Sequence, residues 1–236
     1  ANNENGRAER ATEVAFNNPA GVATLAWLKA QKDKGNLYYS GAKDGDSWTT
    51  VDQAFQSQQV AMAIYSSSDT AIYTNTGMEN GYEVIASFMP YNQDAEGGWT
   101  GNLIGGASLW LVDGLSTEVE DGALSFLFWL TNTENAADWH KVTGYLPIRL
   151  SAVEALEAEG WFEANPNFIV AADQLAQSQN TPATAGALLG SFPAIRSIVT
   201  SAVDTVLLTA DADPQTVLDE AAAAANTTLA EYNALN

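Results

Sequence analysis

Arg196 is the residue whose type and position in this sequence best suit the binding of an anion. It closely follows Pro193, which suits the first turn of a helix, at the start of a stretch with helical apolar periodicity. A guanidinium beside the free N–H groups of a helix start makes a good phosphate or carboxylate site. The alternative is a surface arginine that pairs with one of the 29 acidic residues, an interaction that contributes little to stability.

A second polar cluster extends from Ser66 to Asp69. It follows the apolar run 60–65, which is typical of a strand buried on both faces, and it precedes a helix-like segment. In open α/β sheets, ligands bind where a strand ends and a helix begins. A glycine turn at Gly105 and Gly106 feeds another apolar strand, but no Lys-Ser/Thr follows it, so it is not a phosphate loop of nucleotide hydrolases. These features are typical of a protein that binds small molecules.

The sequence offers little for catalysis. Its single histidine, His140, is flanked by polar and charged residues, and no Gly-x-Ser-x-Gly elbow is present. We interpret His140 as structural or surface-exposed. Without cysteines, and without several histidines or a tight carboxylate set, we expect neither a metal nor a cofactor. No two carboxylates stand out for glycosidase chemistry, so we predict that the protein is not an enzyme; a secreted carbohydrate-active enzyme is a remote alternative.

The composition limits the partners that this chain can have. Its net charge of −20 would repel nucleic acid and anionic lipid. Hydrophobic residues make up 46% of the chain, enough for a sizeable core, and no window approaches the apolar length of a membrane span. The sequence begins at Ala1 with no visible signal peptide, which we interpret as a processed product or an excised part of a longer chain.

Strands and helices alternate in the first half of the sequence, and helices dominate from Thr117 onward. The alternation predicts an α/β layer structure. Asn18-Pro19 and Asp213-Pro214 are helix-start signals. The predicted strands are 37–39, 60–65, 82–88 and 104–112.

Three motifs in this order and spacing resemble a known family. They are Ile104 to Trp110, the stretch from Asn135 to Ile148, and Phe192 to Arg196. The sequence resembles the glycerol-3-phosphate-binding receptors of bacterial ABC uptake systems, a branch of the maltose-binding-like solute receptors. The resemblance runs from about Val14 to the end of the chain.

The resemblance implies an α/β fold, a periplasmic-binding-protein-like lobe with a mixed sheet flanked by helices. Residues 1–114 and 188–236 would form this carboxyl-terminal lobe, and 115–187 an additional, mostly helical segment. In the family, that segment packs on an amino-terminal lobe, which is absent from this sequence. We therefore expect an exposed apolar surface on residues 115–187. We also expect a low ligand affinity without the other lobe.

The resemblance also assigns ligand contacts. Ser67 matches a polar strand-end contact, and Gly106, or its neighbour Gly105, matches a backbone contact. Tyr145 matches a hydroxyl that reaches the phosphate, and Arg196 matches the phosphate-binding arginine, which general sugar receptors of the group usually lack.

Ser66, Asp69 and Trp48 are weaker candidates for ligand binding. The carboxylate of Asp69 would repel a phosphate unless it points away or contacts an amine, as a choline-bearing glycerophosphodiester would allow. Trp48 could offer a ring face to a ligand or a quaternary ammonium, although packing is the more common role of an aromatic side chain.

Together, these implications predict the extracellular solute-binding component of an ABC importer. It would capture glycerol-3-phosphate or a glycerophosphodiester in a cleft between two lobes; the alternative is a sugar or oligosaccharide receptor of the same fold. The expected partners are the membrane permease and the amino-terminal lobe, and nucleic acid is not among them. The expected location is periplasmic or extracellular, at the cell envelope.

Overall fold

Helices supply the regular structure of the chain. The computed structural model describes residues 1–41, 47–94 and 98–236. The helices are α1 (Asn2–Gly6), α2 (Pro19–Asp33), α3 (Ser47–Gln56), α4 (Thr70–Asn80), α5 (Thr117–Leu130), α6 (Thr133–Thr143), α7 (Leu150–Ala158), α8 (Trp161–Ala164), α9 (Val170–Ala176), α10 (Phe192–Leu208) and α11 (Pro214–Leu235), with 3-10 turns at Ser67–Asp69 and Pro166–Phe168. None of the helices in the described part of the chain is long and apolar enough to cross a membrane.

The helix starts follow the local signals in the sequence. The Asn18 side chain accepts a hydrogen bond from the Gly21 N–H (2.9 Å), and the Asp213 side chain accepts one from the Thr216 N–H (2.8 Å). Each cap satisfies a backbone donor that the first helical turn leaves without a partner, and a proline occupies the first turn of each helix. The predicted starts of α2 and α11 are thereby confirmed.

The chain divides into two compact units by its internal contacts. Unit 1 comprises Ala1–Ala63, Gln93–Gly98 and Asn180–Asn236, and unit 2 comprises Ile64–Asn92 and Trp99–Gln179. These boundaries differ from those of the predicted lobe (1–114 with 188–236) and helical segment (115–187). How those two parts pack in a complete protein stays a prediction.

The core of unit 1 lies between α2, α10 and α11. On α10, Ile195 and Val206 are buried at 4% and 0% exposure, and on α11 Leu218 and Leu229 are buried at 4% and 0%. These buried residues lie on the predicted inner faces of both helices, but Phe192 and Tyr232, also predicted there, are 45% and 37% exposed. Leu25 of α2 joins Val206 and Leu218 in one cluster.

A buried polar pair lies inside unit 1. Asp204 of α10 is buried, and the Tyr39 hydroxyl donates a hydrogen bond of 2.8 Å to its Oδ1 atom. Burial and the neighbouring carboxylate together raise the pKa of Tyr39 above its ordinary value, so the phenol stays neutral and keeps donating. This bond ties the extended segment 36–40 to α10.

Unit 2 contains a smaller core between α6 and α7. Ala136, Ala137, Ala152 and Leu156 form its buried cluster, and the aromatic side chains at the start of α8 (161–162) pack against it. The small residues let α6 and α7 approach each other closely. This core supports the C-terminal end of α6, which carries one of the predicted ligand segments.

The predicted mixed sheet is not confirmed, because no strand is assigned within residues 1–41, 47–94 and 98–236. The burial of the predicted strand 82–88 alternates, with residues 82, 84 and 86 half-buried and 83, 85 and 87 exposed. Amide side chains take the place of a neighbouring strand. Asn167 Oδ1 accepts from the Ala86 N–H (2.8 Å), and its Nδ2 donates to the Val84 carbonyl (2.7 Å). A β-ladder would need a second strand beside residues 82–88.

Helix α5 exposes its apolar side chains. No residue of α5 is buried, although its predicted stripe included Ala123, Phe126, Leu127 and Leu130. Phe126 is 56% exposed and stacks on Trp129, which is itself 58% exposed. Exposed aromatic side chains on segment 115–187 agree with the apolar surface expected there, and such surfaces mark interaction sites.

Candidate functional site

The serine turn, residues 66–70, carries several of the predicted site residues. The Ser66 side chain accepts a hydrogen bond of 3.3 Å from the Ser68 N–H and so caps the 3-10 turn. The Ser68 hydroxyl lies 3.0 Å from Ser66 Oγ and 3.2 Å from Asp69 Oδ2, and its single hydrogen can serve one of them at a time. Thr70 Oγ1 donates to the Ser67 carbonyl (2.9 Å). The Asp69 carboxylate lies at the start of α4, where the helix dipole favours a negative charge.

The end of α6 packs directly on the serine turn. Gly144 ends α6 in the left-handed conformation, with φ 98°, and its N–H donates to the His140 carbonyl (2.8 Å). A Cβ at this position would lie 2.5 Å from the Ser67 carbonyl oxygen and 2.6 Å from Thr70 Cβ, closer than Cβ atoms pack. Only glycine therefore permits both this conformation and this approach. The contact brings together two segments that are 77 positions apart, at Ser67 and Gly144.

Tyr145 follows immediately after this contact. Its N–H donates to Thr143 Oγ1 (3.0 Å), and its side chain is 39% exposed. The Tyr145 ring lies 6.3 Å from the ring of Trp139, which is 58% exposed on α6. Trp139 was not predicted as a site residue. Its polar neighbours, Asp138 and Lys141, were the available signal that this aromatic faces solvent rather than the core.

His140 lies beneath the same turn and is buried at 1% exposure. Its Nδ1 atom is 2.7 Å from the Tyr145 carbonyl oxygen. Since a carbonyl only accepts, Nδ1 carries the proton and donates. The ring meets Phe162 and Phe168 in edge-on geometry, with centroids 5.4 and 5.6 Å away. Burial lowers the pKa of His140 below its ordinary value of 6.5, against a smaller opposing effect of the hydrogen bond. His140 is thus structural and buried rather than surface-exposed.

Gly105 and Gly106 lie in an exposed extended segment of unit 2. Gly106 has a φ of 147°, a conformation that side chains rarely adopt, and a Cβ on either glycine would meet nothing within 4 Å. Their backbone is therefore open to an approaching molecule. No described contact joins these glycines to the serine turn.

Arg196 and Trp48 belong to unit 1, whereas the other predicted site residues belong to unit 2. Arg196 is exposed in the first turns of α10, where Pro193 stands as predicted. Within the described residues, no carboxylate forms an ion pair with its guanidinium. The surface ion pair considered as the alternative is therefore not observed there. Trp48 is 58% exposed on α3.

The described residues contain no group of three or more His, Cys, Asp or Glu side chains that could hold a metal ion. The candidate residues offer hydroxyls, backbone groups, aromatic rings, the Asp69 carboxylate and the Arg196 guanidinium.

The chain matches known proteins over most of its length. Residues 2–170 match the family described as bacterial extracellular solute-binding protein. The sequence is 34% identical over 221 residues to the sn-glycerol-3-phosphate-binding periplasmic protein UgpB of Pectobacterium atrosepticum, covering 94% of this chain and 48% of that protein. It is 35% identical over 219 residues to UgpB of an Escherichia coli strain, covering 93% and 48%. The chain thus spans about half the length of these curated relatives.

Solved structures show the same fold. UgpB of Mycobacterium tuberculosis in complex with glycerophosphocholine superposes with a TM-score of 0.72 at 24% identity, over 92% of this chain and 51% of that one. The cyclic alpha-maltosyl-1,6-maltose binding protein of Arthrobacter globiformis gives a TM-score of 0.65 at 21% identity, over 93% and 51%. These similarities confirm the resemblance stated from the motifs, the periplasmic-binding-protein-like fold and the expected periplasmic or extracellular location.

Proposed function

Because this chain belongs to the family of bacterial extracellular solute-binding proteins, we propose that it forms part of the receptor of an ABC importer. The proposed ligand is glycerol-3-phosphate or a glycerophosphodiester. The observation that carries the proposal is the contact between Gly144 and the serine turn. It joins two distant segments that each carry a residue, Ser67 or Tyr145, for which the resemblance implies a ligand contact.

Arg196 is the proposed phosphate-binding residue. Its guanidinium is exposed at the N-terminal end of α10, and no ion pair with a described residue occupies it. A guanidinium presents two parallel N–H donors to a phosphate, which makes it the strongest anion-binding group in the candidate set. The other ligand contacts that the resemblance implies are Tyr145, Ser67 and the backbone of Gly105 or Gly106, with Ser66 and Trp48 as weaker candidates.

Asp69 favours a choline-bearing glycerophosphodiester over glycerol-3-phosphate. Its carboxylate lies within the serine turn, 3.2 Å from the Ser68 hydroxyl. A carboxylate there repels a bare phosphate but attracts a quaternary ammonium. The exposed rings of Trp139 and Tyr145, next to the same turn, offer cation–π contacts to such a group. The Mycobacterium tuberculosis relative was solved with glycerophosphocholine, which supports this choice.

A second lobe is the proposed partner within the receptor. The relatives are about twice as long as this chain, and α5 carries exposed aromatic side chains such as Phe126 and Trp129. We propose that the segment 115–187 packs on the amino-terminal lobe of the complete protein. The segment 82–88, whose residues 82 to 87 alternate in exposure, would pair with neighbouring strands in the mixed sheet of the α/β lobe. The membrane permease is the partner that the family implies for the closed receptor.

A sugar or oligosaccharide receptor is the second candidate. The exposed ring pair of Trp139 and Tyr145 favours it, because aromatic side chains commonly line the sites that bind small molecules. Arg196 counts against it, because an uncharged sugar does not need a cation, and no described carboxylate forms an ion pair with this one.

We propose further that the chain has no catalytic activity. The one histidine is buried at 1% exposure against Phe162 and Phe168, so its unprotonated Nε2 atom is not accessible to a substrate as a general base. Incubation with chromogenic glycosides should give no colour above that of a boiled sample. Turnover that follows the protein through purification would contradict this part of the proposal.

Titration calorimetry on the complete natural protein that carries this sequence tests the ligand. The probes are glycerol-3-phosphate, glycerophosphocholine and maltose. We expect the two phosphate compounds to bind, and Arg196→Ala to weaken both by at least about tenfold, as expected for the loss of a charge-assisted hydrogen bond. Arg10→Ala removes the same charge from a different exposed position and should change neither affinity. Binding of maltose alone, or unchanged phosphate binding in Arg196→Ala, would reject the proposal.

A further inference from the structure

His140 has a feature that its packing role does not explain. The ring is 1% exposed, and its Nε2 atom has no hydrogen-bond partner within the described residues. Phe162 and Phe168 meet the ring edge-on. A phenylalanine at this position would fill the same space without leaving a buried acceptor unsatisfied, which destabilises a fold. The hydrogen bond made by the other nitrogen is therefore what distinguishes histidine from an apolar side chain here.

That hydrogen bond is directed at the turn that carries Tyr145. Nδ1 donates to the Tyr145 carbonyl at 2.7 Å, across the end of α6. Tyr145 lies beyond the end of α6 at Thr143, so the helix supplies no donor for its carbonyl. Gly144, the residue before it, packs against the Ser67 carbonyl and Thr70. The turn thus contacts both the imidazole and the serine turn.

The environment of the ring keeps this donor in one state. With the Nδ1 proton committed to a carbonyl, Nε2 is the unprotonated nitrogen of the neutral ring. Protonating Nε2 would place a charge between two phenyl rings, with no described acceptor nearby. The described contacts of the ring are the Tyr145 carbonyl and these two rings, with no charged group among them. The tautomer is fixed by its surroundings.

We propose that His140 is a positioning residue, which holds the Gly144–Tyr145 turn against the serine turn and thereby sets the affinity of the ligand site. This inference rests on the proposed function, because it takes Tyr145 to be a ligand contact. His140 acts through the backbone of Tyr145 and need not touch the ligand itself.

Three variants separate positioning from packing. His140→Phe keeps an aromatic ring and removes the donor, whereas His140→Asn offers an amide N–H in place of Nδ1 and removes the ring. Phe162→Leu loosens the same aromatic contact without touching the hydrogen bond. The measurements are backbone amide hydrogen exchange at residues 67–70 and 144–146, and calorimetric affinity of the complete protein for glycerophosphocholine. ¹⁵N NMR of the imidazole reads the tautomer, and the signal that disappears in His140→Phe is assigned to His140.

We expect the Nδ1-protonated tautomer in the wild type. His140→Phe should raise the amide exchange rates at residues 144–146 by about tenfold and lower the affinity for the ligand by about tenfold. Each change is equivalent to the loss of one hydrogen bond. His140→Asn should recover part of both effects, and Phe162→Leu should lower stability with affinity unchanged. Unaltered exchange in His140→Phe would overturn the inference. A different result is faster exchange in His140→Phe with the same ligand affinity as the wild type. If Tyr145→Phe also binds with unaltered affinity, Tyr145 is not a ligand contact, and that part of the proposed function is rejected.

Discussion

Replacing Gly144 by alanine tests the contact between the two candidate ligand segments. Two penalties add at this position. Alanine in the left-handed region, at the φ of 98° found here, costs about 1–2 kcal/mol. The new Cβ would also lie 2.5 Å from the Ser67 carbonyl oxygen, and relieving such an overlap in a packed region costs about 1–3 kcal/mol. We therefore expect Gly144→Ala to lower the free energy of unfolding by about 2–5 kcal/mol.

Gly81 provides a matched control for this prediction. It ends α4 in the same left-handed conformation, with φ 77°, but a Cβ there would meet nothing within 4 Å. Gly81→Ala should therefore show the conformational penalty alone, about 1–2 kcal/mol. Urea denaturation followed by circular dichroism measures both variants. Equal losses for the two variants would mean that Gly144 is not pressed against Ser67, and the reasoning about the site would fail.

Three further predictions concern the two cores and the buried titratable groups. The pKa of His140 is lower in the folded protein than in the unfolded chain, so the unfolded chain takes up the proton first as the pH falls below 6.5. The contribution of the neutral ring to the free energy of unfolding is therefore complete above pH 6.5. It declines below that pH by at most about 1.4 kcal/mol per pH unit. Between pH 7 and 5, the urea midpoint should fall less steeply with pH in His140→Phe than in the wild type. Equal slopes in the two proteins would count against a buried neutral ring. Leu229→Ala should cost about 2–5 kcal/mol, because the residue is 0% exposed, whereas Leu235→Ala, at 85% exposure, should stay within about 0.5 kcal/mol by the same assay; similar losses would show that α11 does not bury the predicted face. Tyr39→Phe should cost about 1.5–3 kcal/mol, since it removes a hydrogen bond to the buried carboxylate of Asp204, and an unchanged midpoint would mean that this bond contributes nothing.

Local signals in the sequence predicted the helices well. The caps at Asn18 and Asp213 act on the nearest backbone groups, so their effect does not depend on the rest of the fold. The same holds for the inner faces of α10 and α11, because helical periodicity alone decides which side chains share a face.

The sheet was less predictable, because strand pairing is a property of two segments rather than one. Residues 82–87 alternate in burial, as a strand with one covered face would, but no strand is assigned to them. The groups that bond the backbone at Val84, Ala86 and Met89 are the side chains of Asn167 and Gln174, which lie more than 70 positions away from the residues they contact. The local sequence around 82–88 does not predict these distant hydrogen-bond partners.

The candidate site could be predicted only as separate segments. The helix start at Pro193 with Arg196, and the serines after an apolar run, were recognisable from residue type and order. The contact of Gly144 with Ser67 depends on how α4 and α6 pack, which the sequence alone does not give. The burial of His140 had a signal that was missed: Ala136, Ala137 and His140 lie within four positions on one helical face, and all three are buried.

The central claim is the proposal that Ser67 and Tyr145, whose segments meet at the contact of Gly144 with the serine turn, bind one ligand. A crystal structure of the complete natural protein with glycerophosphocholine tests it most directly. The account predicts ligand oxygens within hydrogen-bond distance of the Tyr145 hydroxyl, next to the serine turn. A ligand bound by other residues, with neither Tyr145 nor Ser67 in contact with it, would contradict it.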